Sequence, residues 1–155
     1  MFLNILVGID GSASSRRALD YAIELARSGN AKLTLITVAP PVSSYVTLAG
    51  ISGETMHREL ERWASDLLAK AHESIPDDVL AHTIQRSGDA GPEIVKELQH
   101  GSYDLVVLGS RGRGRAHEGL LGSVNGYVHF HSRVPLLSVP DDSTVSEPNV
   151  AVPPW

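Results

Sequence analysis

The stretch "YDLVVLGSRGRGRAHEGLLGSVNGYV" (103–128) decides how this chain folds. Its opening segment, 103–109, is apolar almost throughout and shows no polar alternation, so the strand it forms is buried on both faces. A connection rich in glycine and arginine follows, and helical spacing resumes over 119–131. Strands buried on both faces belong to parallel sheets that carry helices above and below.

The same alternation runs outward in both directions. "LNILVGID" (3–10) reads as the first strand. In "GSASSRRALDYAIELARSGN" (11–30), Ala18, Leu19, Ala22, Ile23, Leu25 and Ala26 recur at helical spacing. Ser12 or Ser14 is placed to cap that helix, and Gly29 and Asn30 to end it. "AKLTLITVAP" (31–40) is a second strand, stopped by Pro40 and Pro41. After a small-residue loop, Leu60, Trp63, Ala64, Leu67, Leu68 and Ala71 mark one face of a long amphipathic helix. "DVLAHTIQR" (78–86) alternates, as a strand near a sheet edge does. "GDAGPEIVKELQHG" is a helix with Pro92 in its first turn, and "VPLLSVP" (134–140) is the last strand. Strand and helix thus alternate through nine elements. The expectation is a doubly wound α/β domain over 1–140, with a five-stranded parallel sheet in the order 3-2-1-4-5.

Composition narrows the function. The 155 residues include no cysteine, which excludes a disulfide framework and thiolate chemistry and fits a reducing, cytoplasmic setting. "MFLNILVGIDGS" lacks a basic start and meets Asp10 too early for a signal peptide. No apolar run approaches the roughly 20 residues that span a bilayer, so no membrane partner is expected. With 13 Lys and Arg against 18 Asp and Glu, the net charge is −5. That balance, and the lack of an aromatic platform beside "RGRGR", argues against nucleic acid as a partner. The tail 141–155, rich in Pro, Ser and Asp, is expected to be disordered or loosely docked.

In a doubly wound sheet, ligands sit beyond the carboxyl ends of the strands, where the strand order reverses. The connections that matter are therefore Asp10–Ser12, Val38–Gly53 and Gly109–Gly122. Two phosphate motifs fail on the last of these. Gly109 and Gly114 have the Walker A spacing, but Arg115 and Ala116 stand in place of the lysine and hydroxyl. A dinucleotide fingerprint needs glycine at 117, which is histidine. What does occur is Gly109-x-x-Gly112, nine residues, then Gly122-Ser123. Gly109 and Gly112 let backbone amides turn inward as an anion nest. Gly122 admits a second phosphate, to which the Ser123 hydroxyl can donate, and helix N–H groups add partial positive charge. Arg111, Arg113 and Arg115 concentrate charge at the same mouth. The stretch suits a polyphosphate held mainly by backbone.

This glycine spacing with "GSV", together with "DGS" after the first strand, "GDAGPEI", "LLGSV" and the closing "PLLSVP", resembles the universal stress protein family, from about residue 2 to 140. The resemblance implies an ATP-binding, stress-regulated protein, with ATP or a related adenine nucleotide as ligand, with or without Mg2+, and a homodimer. The nucleoside half of the site would comprise Ile9, Asp10, Gly11, Ser12 and Val38. The phosphate half would comprise Gly109, Arg111, Gly112, Gly122, Ser123 and Val124. Thr37 departs from the family, which often has histidine there. The residues on their own place Asp10 either facing a sugar or base or capping the following helix. No catalytic residue or metal ligand is expected: His129 and His131 point to different sides of a helix, and no histidine base is set beside Ser12, Ser14 or Ser15. A binding module is therefore favoured over a nucleotide hydrolase or phosphotransferase, and any hydrolysis should be slow. The apolar strand 134–140 is expected at a sheet edge, where pairing with a second copy would give the dimer.

Overall fold

The computed structural model describes residues 1–42, 50–111 and 122–141. Its elements are β1 (Asn4–Gly8), α1 (Ala13–Gly29), β2 (Lys32–Ala39), α2 (Gly53–Glu73), β3 (Ala81–Ser87), α3 (Ala90–His100), β4 (Leu105–Gly109), α4 (Ser123–His131) and β5 (Leu136–Val139). The five strands form one parallel sheet in the order β3-β2-β1-β4-β5, as the sequence led us to expect.

The pleat sends successive side chains to opposite faces. Ile5, Val7, Leu33, Leu35, Leu105 and Val107 pack on one face against Ala18, Ala22 and Ala26 of α1 and Leu68 of α2. Leu6, Ile36, Val106 and Leu108 pack on the other, against Ile94, Val95 and Leu98 of α3 and Val128 of α4. Burying such a side chain fully contributes roughly 1.5–3 kcal/mol, so the central strands anchor the domain.

Several boundaries fall inside those read from sequence, each for a local reason. The fourth strand starts at Leu105 rather than at 103 because the Asp104 carboxylate turns across to β1, accepting from the N–H of Leu3 at 2.7 Å and of Asn4 at 3.1 Å. The third starts at Ala81 rather than 78 because Asp78 pairs with Arg27 at 2.8 and 3.0 Å and Val79 N–H closes a turn onto Pro76. The fifth covers only 136–139, bracketed by Pro135 and Pro140, which have no N–H to give the ladder. Ser12, and not Ser14, caps α1, its side chain accepting from Ser15 N–H. At the other end Asn30 adopts the left-handed conformation, φ 52°, that closes the helix. α4 is described from Ser123, with Gly122 as its cap, so the expected start at 119 lies outside the described residues. Among the described residues no helix is long and apolar enough to cross a membrane.

Candidate functional site

The strand order reverses between β1 and β4, so a crevice is expected where these two neighbours release the chain. On the β1 side, Ile9 is buried and its backbone is fully engaged. Its N–H donates to Ile36 O at 2.8 Å, and its carbonyl accepts from the Thr37 hydroxyl at 2.8 Å. Thr37, remarkable in the sequence only as a departure from histidine, thus ties the ends of β1 and β2 together. The Asp10 carboxylate accepts from Ser12 N–H at 2.9 Å, closing a turn in which Gly11 takes φ +82°. Asp10 therefore supports the turn and leaves the capping of α1 to Ser12. Arg16 adds a cation here, donating to Gly11 O at 2.7 Å.

On the β4 side the three residues that leave the strand are held at one backbone group after another. Gly109 O accepts from Asn125 Nδ2 at 2.8 Å, and Ser110 N–H donates to Val139 O at 2.7 Å. Arg111 O accepts from the Ser14 hydroxyl, and Arg111 N–H points back to the same oxygen at 3.4 Å. Gly122 closes the ring, since a Cβ there would stand 2.9 Å from Ser110 O. Both Gly109 and Gly122 are thus required by packing within the protein, a reason different from the anion nest and phosphate approach read in sequence. A Cβ on Gly109 would lie 2.4 Å from Ser14 Oγ and 2.6 Å from Ser15 N, so its bare Cα seats the start of α1.

Asn125 is buried on the first turn of α4, its Nδ2 also reaching Ser138 Oγ at 3.3 Å, while its Oδ1 has no partner among the described residues. Ser123 is exposed at the helix start, Val124 packs partly onto the α3–α4 side of the core, and Val38 does the same from the end of β2. The structure therefore gathers Ile9–Ser12, Gly109–Arg111 and, through Ser110, Gly122 around the reversal point. Gly112, Arg113 and Arg115 lie outside the described residues. Ser14, Thr37 and Asn125 were missed; the available signal was a polar residue inside an otherwise apolar periodic face.

The sequence pattern of the universal stress protein family matches residues 1–140. The chain belongs to the universal stress protein family. Universal stress protein YxiE of Bacillus subtilis is 32% identical over 149 residues, covering 90% of this chain and 99% of its own length. Universal stress protein Rv1996 of Mycobacterium tuberculosis is 30% identical over 94% of the chain, which spans only 50% of that longer relative. Among solved structures, the protein MJ0577 shares the fold with a TM-score of 0.77 at 23% identity, over 90% of this chain and 96% of its own. A universal stress protein crystallised in complex with cAMP is 28% identical, with a TM-score of 0.61, over 90% of this chain and 97% of its own. The Arabidopsis thaliana universal stress protein At3g01520, solved with AMP bound, has a TM-score of 0.57 at 20% identity, over 94% and 97% of the two chains.

Proposed function

We propose that this universal stress protein is a cytoplasmic regulatory module that binds an adenine nucleotide, ATP first, within a single domain over 1–140. The observation that carries the reading is the convergence at the reversal point of a turn-supporting carboxylate, Asp10, and a pinned β4 exit that approaches the cap of α4. Asp10 and the backbone around Ile9 and Val38 face the nucleoside, and Gly112, Gly122, Ser123 and the amides that open α4 take the phosphates. Arg111 adds positive charge. Relatives crystallised with cAMP and with AMP support an adenine ligand. The nucleotide binds with or without Mg2+, which, where present, would be carried by the phosphates.

Binding rather than turnover follows from how the hydroxyls are used. Ser12 accepts from Ser15 N–H, Ser14 donates to Arg111 O, and Ser15 donates to Ser12 O, so the serines serve the loop. The homodimer is part of the same proposal. β5 is an edge strand whose Leu136 and Leu137 are only partly covered, and a second copy paired along 134–140 would shield them.

The test is to denature freshly purified protein and identify the released small molecules by mass spectrometry, followed by ATP titration of the wild type and Gly122→Val. A near-stoichiometric adenine nucleotide, and loss of ATP binding in the variant with its circular dichroism unchanged, is the expected result. An empty extract with no ATP binding on titration would sink the proposal.

A further inference from the structure

The two halves of the site are joined by one side chain, which reaches from just past the "DGS" turn to the backbone inside the Gly109-x-x-Gly112 stretch. Ser14 sits on the first turn of α1 and is 1% exposed, yet its oxygen bonds to Arg111, 97 residues away. Its hydrogen-bonding capacity is fully used there. The single hydroxyl proton goes to Arg111 O, and the two lone pairs face Arg111 N–H at 3.4 Å and Ser12 Oγ at 3.3 Å. With the Ser14 proton committed, Ser12 is the donor of the serine pair. Ser12 in turn presents its N–H to the Asp10 carboxylate at 2.9 Å and its oxygen to Ser15 N–H at 3.1 Å. A continuous chain therefore runs from the carboxylate of the nucleoside half, through two serines, to the residue at which the phosphate connection leaves β4.

We infer that Ser14 is a positioning residue that fixes Arg111, and so presets the β4 exit from which the phosphate-binding residues follow. This rests on the nucleotide-binding reading above and deepens it. Asn125 of α4 fixes Gly109 and Val139 of β5 fixes Ser110, and among the described residues Ser14 alone fixes Arg111, the last of them before the loop. Without it, the backbone of Arg111 would have to be fixed on each binding event, at the expense of affinity for the phosphates and of nothing else. The nucleoside turn keeps its own bonds, Asp10 to Ser12 and Ser12 to Ser15.

Ser14→Ala tests this, since alanine is favoured in a helix and the change removes only the hydroxyl. Titration of wild type and variant with ATP and with adenosine is paired with hydrogen exchange at Ser110 and Arg111 in the ligand-free proteins. The expected result is ATP affinity lower by about tenfold, adenosine affinity unchanged within about twofold, and severalfold faster exchange at Arg111. Unchanged ATP affinity would overturn the inference while leaving the nucleotide reading in place. So would an equal loss for ATP and adenosine, the signature of a merely structural serine. A wild-type protein that binds neither ligand would remove the nucleotide reading and this inference together.

Discussion

At the exit of β4, a Cβ added to Gly109 would lie 2.4 Å from Ser14 Oγ and 2.7 Å from the Ser14 carbonyl carbon; at Gly126, on α4, it would meet no described residue within 4 Å. The first glycine is a packing requirement set by another element's backbone, which cannot give way. The second is a half-buried helical position where glycine costs conformational entropy and no described neighbour needs the missing side chain. The difference separates the mouth of the sheet, where strand exits, helix starts and buried serines interlock, from the outer side of α4, where Phe130 is 83% exposed. Glycine content alone does not mark a functional loop; what a side chain would strike does.

Substitution at the two positions should therefore act in opposite directions. Gly109→Ala is expected to lower stability by about 2 kcal/mol in urea unfolding, because overpacking against backbone has no cheap relief. A loss too small to resolve would break the comparison by showing that α1 can step back. Gly126→Ala is expected to raise stability by about 0.5–1 kcal/mol in the same assay. A decrease would mean that α4 needs its glycine for a contact the folded monomer does not make.

A third glycine sharpens the distinction with the smallest effect. A Cβ on Gly101 would meet the Tyr103 ring, a side chain rather than backbone. Burial, helped by the hydrogen bond from its hydroxyl to Glu97 at 2.8 Å, raises the Tyr103 phenol to about 12. Its folded-state value then lies above the unfolded one of about 10. The contribution is complete below pH 10 or so and is lost as pH rises toward 12, since only the unfolded chain releases the proton in that window. Urea midpoints should fall more steeply there for wild type than for Tyr103→Phe. Parallel curves would show that the phenol is not held in its buried, hydrogen-bonded place against Glu97.

The order of elements and the strand order were legible because each depends on local pattern: apolar runs, helical spacing, and the rule that parallel strands need crossovers. The boundaries shifted where a side chain replaced the ladder, as Asp104 does at the start of β4. For the candidate site, the sequence offered the residues at the strand ends and in the glycine spacing, Ile9–Ser12, Val38, Gly109, Arg111 and Gly122–Val124 among those described. Thr37 on Ile9, Ser14 on Arg111 and Asn125 on Gly109 are bonds between distant segments, and no spacing in the chain encodes them. Gly109 was read as a turn for an anion nest, whereas its bare Cα is required by the start of α1.

The all-parallel sheet has a practical corollary for handling the molecule. Met1, 97% exposed, precedes the amino end of β1, whereas Arg17 of α1 holds Pro140 O at 2.6 Å just past the carboxyl end of β5. One attachment point thus lies at the pole opposite the crevice and the other beside it. A sensor surface or fluorophore coupled through Met1 leaves the crevice facing solution, while coupling just beyond Pro140 sets the label at its rim, where it would report on binding and also obstruct it.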